Sequence, residues 1–404
     1  MKTSVLSLVG VFIGLLHPLG SAAQAPNGPA IQKANWCIVP AFQYGYVFPT
    51  NHFLRGSNRE QEPIRAFGAA SIRLGKQTTG NKPWQLNYAN PVYGVGISAI
   101  RFSEPEELGK PFAVFGYFNA PFHRWTKLSL EYDIALGLAF NWKPFNPVNN
   151  ANNLSIGAKE SVYLDVGVQA AFRLVGRFSG SAGLSIAHYS NGALKKPNLG
   201  VNTVAPRMAL RYDLYTVPLS RPVKSQRAPF TASTQLDLSV FAGSQNVIYD
   251  SLPVDVVEGY EGVNFLAMGV NVCLARHLTH KSKIGFGFTA DYNGAHDAQV
   301  SVDNGEVEAA DSPFADKLQL SVFPSYELVV HRVSVLVQPS FYVARKNIPQ
   351  QTPWFYQRIG IKYHAYRNLF VGVSLRAYQF NVSEFLEWNI GYRFIRNKGN
   401  PLSP

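Results

Sequence analysis

His188 and Ser190 stand two residues apart, and a stretch containing Asn191-Gly192 and Pro197-Asn198-Leu199-Gly200 separates them from Asn202. An imidazole beside a hydroxyl is what a serine nucleophile needs, because the ring takes the hydroxyl proton as the oxygen attacks a carbonyl. Side chains at i and i+2 of a strand point the same way, so His188 and Ser190 share a face. If the residues on either side of Gly192 to Val201 pair as a hairpin, Asn202 returns to that face close to both. The bland alternative is a polar turn, since Asn-Gly and Pro-Asn-x-Gly are turn formers. Spacing alone leaves both open.

The elements that must position these residues are strands. From Ser161 to Arg173 the even positions are Val162, Leu164, Val166, Val168, Ala170 and Phe172, whereas the odd ones include Ser161, Tyr163, Asp165, Gln169 and Arg173. From Phe178 onward the parity repeats, with Ala182, Leu184 and Ile186 on the even side. Period-two alternation of this kind marks strands with one apolar and one polar face. Sixteen candidate segments of this type run from Asn35 to Phe394. No stretch after the N-terminal segment holds the roughly 18 to 20 apolar residues of a membrane-spanning helix.

Alternation also suits a soluble sandwich. The composition tips the choice: 46% hydrophobic, 13% aromatic and only 15% charged, against about 25% charged in a typical soluble domain. Small, polar and charged residues on one face suit a wet lumen, and the apolar face suits lipid. The expectation is an all-β, transmembrane antiparallel β-barrel of about 14 strands, with 12 and 16 as neighbours. It forms a single outer-membrane domain over residues 24–404. A break near Pro218 to Phe230 is disfavoured, because cutting a barrel there leaves open strand edges in lipid. Long polar connections such as Phe145 to Ser155 and Asn293 to Pro313 suit the outward side.

Lys2, the apolar run Val5 to Leu16 and the small residues around Ala23 read as an export signal over residues 1–23. Cys37 and Cys273 have no metal-ligand spacing, and a disulfide between them is one option in an oxidising compartment. The net charge of +12 suits anionic surfaces such as lipid phosphates. No phosphate loop, zinc pattern or nucleic-acid motif stands out, and no cofactor or metal is expected.

At His188, Ser190, Asn191, Pro197, Asn198 and Gly200 the chain resembles the PagL-type lipid A 3-O-deacylases, also called acyloxyacyl hydrolases, of the outer membrane. The match spans about thirty residues. The resemblance implies that Ser190 is the nucleophile and His188 the general base, with Asn191 and the backbone near Gly192 and Ala193 as the oxyanion hole. It implies a serine esterase that removes an ester-linked acyl chain from lipid A or lipopolysaccharide, working as a monomer or small homo-oligomer. Lys195 and Lys196 are candidates to hold a lipid phosphate.

Two departures stand out. The family pattern places a glutamate two residues after the glycine, where this chain has Asn202. In serine-protease triads an acid-to-Asn change costs about 10⁴-fold, yet Cys-His-Asn sites show that asparagine can orient the ring. Glu160 is a backup orienting acid. The second departure is size, because the familiar barrels have eight strands. Two other functions compete: an outer-membrane pore, which would concentrate special residues on the lumen face, and a barrel that binds lipopolysaccharide without cleaving it.

Overall fold

A computed structural model describes residues 35–146, 148–215, 230–247, 262–303, 306–310, 312–348, 353–378 and 382–397. The export signal and nearly all of the Pro218 to Phe230 connection lie outside the described residues. No helix in these regions is long and apolar enough to cross a membrane. The short α1 (Pro83–Asn87) and α2 (Pro105–Leu108) sit in connections.

Each expected strand is present. β1 (Asn35–Val47), β2 (Ala66–Gln77), β3 (Val92–Phe102), β4 (Gly109–Arg124), β5 (Leu128–Trp142), β6 (Ser161–Arg173), β7 (Phe178–Ser190) and β8 (Val201–Asp213) form an antiparallel meander. It closes where Val47 meets Thr203 and Cys37 meets Asp213 across β1 and β8. A second closed barrel contains β9 (Ser233–Val247), β10 (Val263–His277), β11 (Ser282–Asn293), β14 (Leu318–Val330), β15 (Val333–Ala344), β16 (Phe355–Tyr366), β17 (Leu369–Tyr378) and β18 (Val382–Asn397), with β18 paired to β9. Between β11 and β14, where the sequence suggested only a long loop, a hairpin forms from β12 (Gln299–Asp303) and β13 (Glu306–Ala310).

The sixteen wall strands fall at the upper end of the expected range, but they close as two barrels of eight rather than one, and the chain divides into two compact units. The objection to a break near Pro218 to Phe230 fails for a physical reason. Each half pairs its own first and last strands, so no edge is left unsatisfied in lipid.

Parity sorts the side chains as expected. In the first barrel Leu184, Ile186 and Met208 face outward and are more than half exposed, which suits hydrocarbon. Inside, Arg73 binds Asp133 at 2.9 Å, and Arg207 bridges Asp133 at 3.0 Å and Asp165 at 2.8 Å. Carboxylates shared between guanidinium groups compensate charges that would be costly to bury alone. Toward the β7–β8 turn the interior is filled by aromatic rings, among them Phe102, Trp142, Tyr163 and Tyr189. Toward the short β6–β7 turn a cavity of about 1140 Å³ opens, lined in part by Gln77, Glu131, Arg211 and Asp213.

The second barrel is filled by its own ion pairs. Arg358 binds Glu387 at 2.7 Å, Arg376 reaches both Asp291 and Glu387, and Arg393 holds Asp237 at 2.8 Å. Cys37 and Cys273 are both free, buried thiols, so the disulfide option is not realised.

Candidate active site

The register of β7 and β8 sets His188 directly opposite Asn202 and Tyr189 opposite Val201. On the other flank, β6 places Leu164 opposite His188 and Val162 opposite Ser190. His188, Ser190 and Asn202 thus share the outward parity at one end of the first barrel, as the sequence pattern predicts. Between His188 and Ser190 the inward Tyr189 stacks on Tyr163, with ring centroids 5.4 Å apart, and packs edge-on against Trp142 at 5.3 Å. Trp142 in turn donates through Nε1 to Ser161 Oγ. The inward ring anchors the strand while its two neighbours face outward.

His188 Nδ1 lies 2.6 Å from Asn202 Oδ1. A carbonyl oxygen only accepts, so the ring carries its proton on Nδ1 and keeps a free lone pair on Nε2. This is the tautomer a general base requires. Asn202 is itself held by its backbone, because Phe48 N donates to Asn202 O at 2.9 Å.

Gly200, the last residue of Pro-Asn-x-Gly, explains the glycine of that motif. Its φ is +74°, in the left-handed region. A Cβ built there would stand 3.0 Å from His188 Cε1, 3.0 Å from Tyr189 O and 3.6 Å from Ser190 Cβ. Gly200 thus packs close beside the pair, with no room for a side chain toward His188. Its N–H donates to Ser155 O at 2.9 Å.

Exposure departs from expectation. Leu184 and Ile186 are open to lipid, but His188 is half-buried and Ser190 is only 4% exposed. Parity along a strand predicts direction, and it carries no information on what packs over the strand end. Asn191 is buried, and Gly192 and Ala193 follow with φ of +66° and +60°. Lys195 and Lys196 are half-buried. Glu160 stands just before β6, whereas the β6 residue opposite His188 is Leu164, four positions further on. Asn202 takes the Nδ1 side of the ring.

Three residues that the sequence pattern did not single out also bear on the site. Ser155, Asn153 and Asn51 are buried and connected to Gly200 by hydrogen bonds. They come from two other connections, and the Asn-rich run Asn149 to Asn153 was their one trace in the sequence.

A family model described as lipid A 3-O-deacylase (PagL) matches residues 71–211, and one described as the C-terminal domain of acyloxyacyl hydrolase matches residues 234–398. The two matches fall on the two barrels. No curated protein matches the chain. Solved structures that align with it include CdiB from Acinetobacter baumannii, at 9% identity and a TM-score of 0.17, over 91% of this chain and 61% of that one. A triple mutant of the Rhodopseudomonas blastica porin aligns at 8% identity and a TM-score of 0.16, over 90% and 100% of the two chains. Omp33 of Acinetobacter baumannii aligns at 9% identity and a TM-score of 0.16, over 89% and 99%.

Proposed function

The chain belongs to the lipid A 3-O-deacylase family of outer-membrane enzymes, and we propose that it hydrolyses the ester holding the 3-O-linked acyl chain of lipid A by a Ser190–His188 mechanism. The observation that carries this reading is the 2.6 Å contact between His188 Nδ1 and Asn202 Oδ1, made beside a serine on the same face of the same strand.

Asn202 fixes the imidazole with Nε2 unprotonated. That nitrogen removes the Ser190 proton as Oγ attacks the ester carbonyl. The Asn191 side chain and the N–H groups of the left-handed turn that follows donate to the oxyanion as it forms. Collapse of the tetrahedral intermediate leaves the acyl group on Ser190, with the sugar hydroxyl receiving the proton from His188. Water, deprotonated by the same ring, then releases the fatty acid. Outward-facing Ile186, Leu184 and Leu164 give the acyl chain an apolar surface along the wall. Lys195 and Lys196 hold a lipid A phosphate.

The lumen-face signature of a pore is missing from this site, whose special residues all have outward parity. To test the enzymatic reading, purified protein is incubated with lipid A and the products are weighed. The wild-type protein is expected to release one hydroxyacyl chain, and neither Ser190→Ala nor His188→Ala to do so. Lipid A left intact by the wild type, or cleaved equally by all three, overturns it.

A further inference from the structure

We propose that Ser155 is a positioning residue for the Ser190–His188 pair, acting through Gly200; this rests on the catalytic reading of that pair. Three connections at the active end of the first barrel meet at this one serine. Its carbonyl oxygen accepts from Gly200 N at 2.9 Å. Its hydroxyl accepts from Asn51 Nδ2 at 2.9 Å. Its own N–H donates to Asn153 Oδ1 at 3.1 Å.

Each partner is anchored in turn. Asn51 Oδ1 accepts from Leu54 N at 3.1 Å, which fixes the connection between β1 and β2. Asn153 Oδ1 also accepts from Ile156 N, while its Nδ2 donates to Lys143 O at 2.9 Å, which fixes the connection between β5 and β6. Ser155 and Asn153 are fully buried and Asn51 nearly so. Buried polar groups that satisfy one another in this way hold a single geometry, because any departure strands a donor or acceptor away from water.

The mechanical consequence lies at Gly200, where an added Cβ would stand 3.0 Å from His188 Cε1 and 3.6 Å from Ser190 Cβ. Gly200 N–H is bonded to the main-chain carbonyl of Ser155, and the bond from Asn51 to the Ser155 hydroxyl steadies that carbonyl. The same β1–β2 connection that grips Ser155 through Asn51 begins at Phe48, which holds the Asn202 carbonyl. One loop therefore fixes both the orienting asparagine and Gly200. Small misplacements in such pairs are amplified, since about 1 Å of error can cost around 10²-fold in rate.

Kinetics with full-length protein in detergent test this, using Ser155→Ala, Asn51→Ala, the double variant and Ser190→Ala, with melting temperatures recorded for each. Ser155→Ala is expected to lower kcat about tenfold while KM for lipid A stays within about twofold. The double variant is expected to fall no further than the worse single variant, because the Asn51–Ser155 side-chain bond is already lost in either one. Wild-type kcat in a folded Ser155→Ala protein overturns the proposal, as does a loss of rate that follows only the fraction of protein folded, or effects that multiply in the double variant. If Ser190→Ala keeps its activity, the catalytic reading itself has failed rather than the positioning role.

Discussion

His188 and Asn202 face each other across the β7–β8 ladder with Nδ1 and Oδ1 2.6 Å apart, in the position where the family pattern leads one to expect a carboxylate. An amide oxygen can fix the tautomer but carries no full charge to stabilise the imidazolium that forms during attack. Asn202→Ala is expected to lower kcat by about 10²-fold or more, and Asn202→Asp to match or exceed the wild-type rate. Steady-state deacylation by the two variants checks this. Unchanged turnover in Asn202→Ala would mean that the ring needs no partner at Nδ1.

Gly200 is expected to tolerate no side chain. Gly200→Ala places a methyl against His188 Cε1 and Tyr189 O in a left-handed conformation, at a cost of about 1–2 kcal/mol from the backbone alone. The expected outcome is loss of deacylase activity with the barrel still folded, read by activity beside circular dichroism. A fully active Gly200→Ala protein would show that this close packing plays no part.

Arg207 bridges Asp133 and Asp165 inside the first barrel, on the opposite face from the site. Arg207→Ala leaves two buried carboxylates short of a partner, for a loss of about 3–5 kcal/mol. A lower urea midpoint is expected, with turnover per folded molecule close to wild type. A midpoint equal to wild type would contradict the stabilising role assigned to the bridge.

Both lumens contain buried ion pairs, and the first also contains the Phe102, Trp142, Tyr163 and Tyr189 rings. Protein reconstituted in a planar bilayer is accordingly expected to give no stable conductance steps at 1 M salt. Steady open-channel currents from pure protein would revive the pore reading.

Most of the wall was legible because strand parity is a local property. β6 begins and ends at the residues the alternation marked, Ser161–Arg173. Closure was not legible. Sixteen strands of similar length read alike whether they form one ring or two, and the long-range pairings of β1 with β8 and of β9 with β18 decide it. The site was legible in direction and partnership, since one register fixes His188 against Asn202. The burial of Ser190 and the Asn51–Ser155–Gly200 chain were not, because they depend on connections without a repeating pattern.

The central claim, that Ser190 is a nucleophile activated by His188, is tested most directly by reaction with a long-chain alkyl fluorophosphonate followed by peptide mass mapping. The account predicts a single adduct on Ser190 in the wild-type protein and almost none in His188→Ala. An adduct on another residue, or equal labelling of Ser190 without the histidine, would contradict it.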